Sequence, residues 1–308
     1  MVIILVLRNI LVLLCLFPGL GTILVLIGFV TYMVFMQSFG LQNILGEDNF
    51  TLDFWEKISN RKSYQRSILY SIYIGSFSTI FSVLIAYPIA LWLRKPFRGS
   101  ILISSVLKAP LLVHGLVAAF LFLNVIEYHG LINQLLQYLQ ITDGPIRMRN
   151  DRNAIGVLFL QTWKNMPFAL LLVSAALSSI RDDIMEAAKD LGANLYRRFI
   201  DVIIPLSLSA LKAASIIIFI GAFADFTFQA LAGPTNRFSL SQLMVEYRGR
   251  NKWNEAAAVG VTLIILSFIG SILISLTSDR LFKYPGLFSQ TIFWKIRVFL
   301  NKWRKNDL

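Results

Sequence analysis

The chain has 308 residues, of which 56% are hydrophobic and 15% are charged, and its formal net charge is +12. Soluble domains are typically about 45–50% apolar and about 25% charged, so this composition argues against a soluble protein and predicts residence in a membrane. Lys and Arg accumulate on the cytoplasmic loops of membrane proteins, which explains the positive charge without nucleic-acid binding. With one cysteine, Cys15, and two histidines, the sequence offers no intrachain disulfide and no Cys/His metal cluster.

Six apolar runs are long enough, at about 20 residues or more, to cross a bilayer core of roughly 30 Å as helices. We therefore expect an all-α membrane protein with six transmembrane helices. The first run has no small-residue cleavage site after it, so we expect it to be retained rather than removed as a signal peptide. The predicted spans, in chain order, are 10–37, 66–93, 101–126, 154–180, 206–231 and 255–277. Pro88, Pro110 and Pro167 could kink the second, third and fourth spans.

The distribution of Lys and Arg predicts the orientation of these spans. The 94–100 loop carries three basic residues and no acid, and the tail after residue 278 is rich in Lys and Arg, so both belong on the cytoplasmic side. An even number of spans then places both termini in the cytoplasm. Leucines at helical spacing in 131–139 predict a short helix at the outer surface. The tail mixes aromatic and basic residues, which predicts an interfacial helix on the inner leaflet or, alternatively, a partner-binding tail.

The segment 181–205 is unusual because it places nine charged residues between two apolar spans. Its apolar residues recur at steps of three or four and form one stripe on a helical period. Gly192 lies inside this pattern, where glycine costs about 1 kcal/mol relative to alanine in a helix. We predict two amphipathic helices that break at Gly192, with Pro205 at the start of the fifth span. The segment is either a solvated loop or, as its length favours, a docking element.

A family resemblance lies in the same segment. The chain reads Glu-Ala-Ala at 186–188, then three residues, Gly192, nine residues and Val-Ile-Ile-Pro at 202–205. This spacing resembles the EAA motif of the permease subunits of binding-protein-dependent ABC importers. The family pattern ends in Ile-x-Leu-Pro, from which this chain departs conservatively. The resemblance covers roughly 66–280.

The resemblance implies the ABC type I importer permease fold in the bacterial inner membrane, with this segment as a coupling helix on a separate ATP-hydrolysing subunit. Glu186 would be the charged anchor, Ala187 and Ala188 would allow close approach, and Gly192 would permit the turn before Pro205. The chain itself has no Gly-x-x-x-x-Gly-Lys-[Ser/Thr] phosphate cradle, so it is not expected to be an enzyme or to have catalytic residues.

The same resemblance implies a set of partners and a division of the chain. The partners would be two ATP-binding subunits, which bind ATP and Mg, a second permease chain (different or identical), an external solute-binding protein and membrane lipid. The first part, 1–65, would hold the first helix and an outer loop. The permease core, 66–280, would include the coupling segment 181–205, and 281–308 would form the basic interfacial tail.

Ionisable groups inside the predicted spans are costly and therefore mark candidate positions of a substrate path. The polar candidates are Lys108, His114, Lys164, Asn165 and Asp225. Lys108 is close enough to the inner end of its span that it could instead snorkel to the headgroups. Lys164 and Asp225 could equally form a structural ion pair.

The sequence indicates the class of transported solute less clearly than it indicates the fold or the family. Sugar permeases of this family usually carry Asp-Gly-Ala where this chain has Leu-Gly-Ala at 191–193, and the stretch 221–234 resembles the polyamine-type permeases. A small polar solute such as a polyamine (spermidine or putrescine) is therefore expected, with phosphonate, thiamine, iron, sulfate or sugar as alternatives. The alternative class is an ion-gradient-driven secondary transporter or channel, whereas nothing indicates a membrane-embedded enzyme.

Overall fold

The computed structural model describes residues 2–44 and 47–282, with side chains described for 17–44 and 47–280. All regular secondary structure in this part of the chain is helical. The α-helices are α1 (Val2–Ser38), α2 (Asp53–Ser59), α3 (Lys62–Leu93), α4 (Ser100–Lys108), α5 (Gly115–Ile126), α6 (Leu131–Tyr138), α7 (Ile155–Ser178), α8 (Asp182–Asp190), α9 (Leu195–Arg197), α10 (Ile204–Ala224), α11 (Thr227–Ala232), α12 (Leu240–Gly249) and α13 (Trp253–Phe282). A 3-10 turn (Ala109–Leu112) follows α4, and a π-helical stretch (Arg198–Ile203) precedes α10.

Six helical segments of the described residues are long and apolar enough to cross a membrane. They are Phe17–Ser38, Lys62–Leu93, Gly115–Tyr138, Ile155–Ser178, Leu195–Ala224 and Trp253–Arg280. The predicted all-α architecture with six transmembrane helices is therefore confirmed. Pro88 and Pro167 lie inside continuous helices, so neither of them interrupts its span.

The predicted third span, 101–126, is interrupted at Pro110, one of the three prolines that could kink a span. The run is split into α4, the 3-10 turn that contains Pro110, and α5, and Val113 between them is extended, with φ −84° and ψ 125°. Proline lacks the N–H that would continue the helical ladder, and its ring crowds the carbonyl four residues earlier. The break leaves backbone carbonyls in the middle of an apolar stretch that need other donors.

Two short helices, α6 and α12, show which elements the sequence pattern predicted and which it did not. The leucine pattern correctly predicted a short helix, observed as α6. Helix α12 was not predicted, although its start carries a capping box in which the Ser239 side chain and the Gln242 side chain each accept the other residue's backbone N–H. Ser-x-x-Gln is a sequence signal for a helix start, so this helix could have been found from the sequence.

The chain forms two compact units. The first consists of the described residues up to Ile68 together with Phe238–Ile265. Inside it, the Tyr64 hydroxyl shares a buried hydrogen bond of 2.7 Å with the Thr262 hydroxyl. These buried polar groups satisfy each other across a sequence separation of almost 200 residues and tie α3 to α13 within the unit.

The second unit consists of Leu69–Arg237 together with the described residues from Leu266 onward. Helix α7 is central to it and packs against α4, α5, α10 and α11. One buried apolar cluster surrounds its first half and includes Leu160, whereas another surrounds its second half and includes Leu170. The two clusters position the polar groups of α7 next to the breaks in the neighbouring helices.

Three features of the chain stay predictions. The interfacial helix of the tail falls on residues 283–308, outside the described residues. The cytoplasmic location of both termini rests on the distribution of Lys and Arg alone. The division at 65/66 and 280/281 also stays a prediction.

Candidate functional site

The charged segment 181–205 forms two helices separated by a turn, as predicted. Helix α8 has Asp182 and Asp183 in its first turn and Lys189 in its last, charges that suit the helix dipole. Gly192 follows the end of α8 with φ +82°. Helix α9 begins after Asn194, whose side-chain oxygen accepts the N–H of Arg197 at 2.8 Å.

The turn after α8 is a Schellman motif, the hydrogen-bonded helix ending that uses a left-handed residue. The N–H of Ala193 donates to the Ala188 carbonyl at 3.0 Å, and the N–H of Gly192 donates to the Lys189 carbonyl at 2.9 Å. A left-handed residue at this position is usually glycine, because a Cβ atom is disfavoured there. The glycine of the motif therefore sets the direction in which the chain leaves α8.

Gly192→Val is expected to lower coupled uptake at least tenfold, because a β-branched residue at this left-handed position costs about 1–2 kcal/mol and shifts the turn. No atom lies within 4 Å of the position that a Cβ would take, so crowding has no part in the effect. Uptake per ATP hydrolysed in proteoliposomes measures it. Gly192→Asn is the matched control and should retain uptake, since asparagine tolerates this conformation. An equal loss in both variants, or none in Gly192→Val, contradicts the interpretation.

The apolar stripe of the segment is only partly covered by this chain. Met185 and Phe199 pack against the cluster around the second half of α7. Ile184, by contrast, is 42% exposed, Leu191 89% and Leu195 78%. Glu186 and Ala187 are also exposed on α8. The segment therefore presents apolar side chains and one motif carboxylate on a surface that the described part of the chain leaves open.

Arg94 connects this segment to the end of α3, a contact that the sequence analysis did not predict. Its Nη2 atom donates to the Ile180 carbonyl at 2.9 Å and to the Asp182 carboxylate at 3.3 Å. The Arg94 side chain is only 12% exposed, whereas that of Asp182 is 81% exposed. The start of α8 is thus attached to the membrane helices, so a displacement of α8 would reach α3.

Pro205 lies in the first turn of α10, as predicted, but it does not separate the fifth span from the charged segment. The chain is helical without interruption from Leu195 to Ala224, through the π-helical stretch Arg198–Ile203. Proline cannot donate to the carbonyl of Asp201, four residues earlier, and a widened turn just before it accommodates that loss. The second amphipathic helix is therefore a direct extension of the fifth span.

Lys164 stabilises the break in the third predicted span. Its Nζ atom donates to the Pro110 carbonyl at 2.6 Å and also to the Val113 carbonyl. The break in the helix removes the usual α-helical donors of both carbonyls, and the Pro110 carbonyl also accepts the N–H of Val113 at 3.4 Å. The observed contacts of the Lys164 amine are with these two carbonyls, and the structural ion pair with Asp225 stays a prediction.

The other polar candidates take different positions in the second unit. Asp225 ends α10, and its carboxylate accepts the N–H groups of Phe228 at 2.9 Å and Gln229 at 3.3 Å, which starts α11. The predicted span 206–231 is thus broken at Asp225. Asn165 donates to Gln161 at 2.9 Å. His114 is exposed and precedes α5, where its Nδ1 accepts the N–H of Leu116 at 3.4 Å.

Buried polar side chains that the sequence analysis missed accompany Asp225 and Asn165. The Tyr70 hydroxyl donates to the Gln229 side-chain oxygen at 2.8 Å, and both residues are almost fully buried. Gln161 is 2% exposed. Uncharged polar residues within apolar helices give a weak sequence signal, but Gln161 and Asn165 at a spacing of four residues predict a shared helix face. The structure thus places polar groups on α3, α7 and the α10–α11 junction of one unit.

The comparison with protein families matches residues 1–284 to the inner membrane component of binding-protein-dependent transport systems. The chain belongs to this family. The resemblance inferred from the EAA motif is therefore confirmed. As a member of this family, the chain is a multi-pass protein of the inner membrane and a permease subunit, without an ATPase site of its own.

Curated relatives of this permease include the spermidine/putrescine transport system permease protein PotB of Escherichia coli (strain K12). It is 25% identical over 221 residues, which cover 70% of this chain and 78% of PotB. PotB of Haemophilus influenzae is 27% identical over 209 residues, covering 66% and 71% of the two chains. The molybdenum transport system permease protein ModB of Azotobacter vinelandii is 24% identical over 223 residues, covering 70% of this chain and 94% of ModB.

The fold is similar to that of a solved bacterial alginate ABC transporter in complex with an alginate pentasaccharide-bound periplasmic protein. The TM-score is 0.72 at 15% identity, and the alignment covers 90% of this permease and 96% of the solved chain. A second structure of a bacterial ABC transporter that imports alginate gives a TM-score of 0.70. At this identity the likeness supports the ABC type I importer permease fold.

Proposed function

We propose that this chain is the permease of an ATP-driven importer for a small polar solute of the polyamine type. The permease role itself follows from family membership, which favours a binding-protein-dependent importer over an ion-gradient-driven transporter or channel. The spermidine/putrescine permeases among its relatives support the substrate class. Phosphonate, thiamine, iron, sulfate and sugar remain the competing substrates.

The proposed coupling site is the segment 181–205. The observation that carries it is the exposure of Ile184, Leu191 and Leu195 beside the motif residue Glu186. Apolar side chains rimmed by charges on the surface of a protein mark an interaction site. A separate ATP-hydrolysing subunit would cover them, with Glu186 as a charged anchor and Ala187 and Ala188 at the closest approach. The helix continuous from Leu195 would carry the motion of that subunit into the fifth span.

The proposed assembly contains two such ATP-binding subunits, a second permease chain and an external solute-binding protein. ATP and Mg would be bound by the ATP-binding subunits, and this chain would hold no cofactor. The substrate path would run along the polar groups of the second unit, where Asn165 and Asp225 lie on adjacent elements. Asp225 would suit a cationic solute because it supplies a negative charge inside an apolar region.

Reconstitution tests the proposed function. The chain is purified with the ATP-binding subunits and solute-binding protein that accompany it and is placed in proteoliposomes. We expect uptake of radiolabelled spermidine that requires ATP and the binding protein. Uptake that instead follows an ion gradient, without ATP, contradicts the importer mechanism. ATP-dependent uptake of molybdate, sulfate or maltose in place of spermidine contradicts only the proposed substrate.

Asp225→Asn is expected to weaken spermidine uptake by about 10–100-fold, because hydrogen bonds to a charged group contribute about 1.5–3 kcal/mol. Asparagine keeps an oxygen that can accept the N–H groups of Phe228 and Gln229, so the start of α11 should survive. Uptake rate against spermidine concentration and thermal unfolding of the variant are the two measurements. Asp143→Asn, an exposed position in an interhelical loop, is the control. Normal uptake by Asp225→Asn would assign Asp225 a structural role only.

A further inference from the structure

A pocket of about 540 Å³ opens between the end of α3, helix α4 and the second half of α7. Its polar lining includes Arg94, Ser100, Ser104, Lys108, Ser174 and Ser178. Ser100, Ser104 and Lys108 follow one another at intervals of four residues, and Ser174 and Ser178 do the same on α7. Residues at this spacing share a helix face, so two polar stripes face each other across the pocket.

Several polar side chains of this pocket lack a hydrogen-bond partner in the described residues. A serine inside a helix commonly donates back to a carbonyl of the preceding turn, as Ser178 does to Ala175 at 2.9 Å. The buried hydroxyl of Ser174 has no hydrogen-bond partner in the described residues. The Lys108 side chain likewise makes no hydrogen bond or ion pair within the described residues. Such groups are costly in an apolar region unless a ligand or water satisfies them.

The charge of the pocket has one sign. Lys108 and Arg94 each contribute a positive charge, and no carboxylate lines the pocket. Arg94 uses only Nη2 for its contacts with Ile180 and Asp182. A guanidinium has five N–H donors, so donors remain for a second acceptor. The chemistry suits an anion with several acceptor oxygens and does not suit a polyamine.

The surroundings of the pocket are those of a membrane interface. Trp92 and Phe97 pair beside it with their ring centroids 4.9 Å apart, and Trp92 is 56% exposed. Exposed Lys95 and Arg98 lie on the same loop. Aromatic and basic residues together are typical of the headgroup level of a bilayer. Ile101, which also lines the pocket, is 83% exposed and offers an apolar surface next to the polar one.

We propose that this pocket binds the phosphate group of an anionic membrane phospholipid. The phosphate oxygens would accept hydrogen bonds from the serine hydroxyls, from Lys108 and from the free donors of Arg94. Ile101 would contact the acyl chain. A soluble phosphate would satisfy the same donors but would leave that apolar flank uncovered. Arg94 also binds the start of α8, so a lipid bound in the pocket would influence the position of the coupling segment. The proposal does not depend on which solute is transported.

Lipid binding to the full chain tests the proposal without any transport assay. The chain is purified in detergent, stripped of lipid and titrated with phosphatidylglycerol or phosphatidylcholine, and the bound lipid is counted by native mass spectrometry. We expect phosphatidylglycerol to bind more tightly. Lys108→Gln should weaken it about fivefold, the equivalent of about 1 kcal/mol for one basic residue near the headgroups. Lys108→Arg should restore it, and Lys62→Gln, at an exposed position on α3, should bind like the unchanged chain.

Three results would overturn the proposal. The first is equal binding of phosphatidylglycerol and phosphatidylcholine. The second is an unchanged affinity for phosphatidylglycerol in both Lys108→Gln and the double variant Ser104→Ala with Ser174→Ala, which removes hydroxyls from both stripes. The third is displacement of phosphatidylglycerol by millimolar inorganic phosphate, because that would assign the pocket to a soluble phosphate. The thermal unfolding of each variant in detergent shows whether it is folded before lipid is added.

Discussion

Glu186→Arg is expected to reduce ATP-driven uptake at least a hundredfold while the chain still folds and enters the membrane. Glu186 is exposed on α8 and its side chain forms no hydrogen bond or ion pair in the described part of the chain, so its replacement removes no side-chain contact inside this subunit. In the proposed assembly its carboxylate would be buried against the ATP-binding subunit. Removing one partner of a buried charge pair costs about 3–5 kcal/mol, and reversing the charge adds repulsion.

Two measurements check this outcome. Uptake and ATP hydrolysis are followed in proteoliposomes, and the amount of ATP-binding subunit that co-purifies with the chain is determined. Glu47→Arg makes the same change in charge at an exposed position in an interhelical loop and should leave uptake unchanged. Glu186→Gln keeps the shape of the side chain without its charge, and its uptake rate should lie between those of Glu186→Arg and Glu47→Arg. If Glu186→Arg takes up solute at the rate of the unchanged chain, the proposal that 181–205 couples transport to ATP hydrolysis is contradicted.

Lys164→Met is expected to destabilise the chain by about 2–4 kcal/mol, since the Val113 carbonyl loses its donor and the Pro110 carbonyl keeps only the N–H of Val113 at 3.4 Å. Methionine keeps an unbranched apolar stem of similar length, so packing changes little. The carbonyls are those of Pro110 and Val113, on either side of the break between α4 and α5. Thermal unfolding in detergent should show Tm lowered by about 5–10 °C.

Lys62→Met is the matched control for this experiment. Lys62 is exposed near the start of α3, and its loss should leave Tm within about 1 °C of the unchanged chain. Lys164→Arg keeps donors at the same place and should recover part of the stability. If Lys164→Met unfolds at the same temperature as the unchanged chain but loses uptake, Lys164 acts on the substrate and not on the helix break.

The spans could be predicted because the bilayer imposes a simple rule. Backbone groups in lipid need internal partners, so an apolar run of sufficient length is a helix whatever its neighbours are. The length of an apolar run does not say, however, which proline interrupts its helix. Pro88, Pro110 and Pro167 give the same sequence signal, yet only Pro110 interrupts its helix. At this break Lys164, more than 50 residues away in the sequence, donates to the carbonyls of Pro110 and Val113.

The coupling segment shows the same division between local and distant causes. The break at Gly192 is a local property, since a left-handed turn after an amphipathic helix favours glycine. The attachment of α8 to α3 through Arg94 is not local, because in the sequence this basic residue indicates only the orientation of the spans. Similarly, the continuity of the helix from Leu195 to Ala224 depends on the π-helical stretch that accommodates Pro205.

By itself, the sequence determined that this is a helical membrane protein with an EAA motif, because hydrophobic length, helical period and motif spacing are all local properties. Only the tertiary structure decided that Lys164 stabilises a broken helix, that Asp225 starts α11, and that Lys108 faces a pocket with free serine hydroxyls. The physical reason is that a polar group in an apolar region takes whichever partner the fold brings within hydrogen-bond distance. That partner is set by the packing of helices distant in sequence.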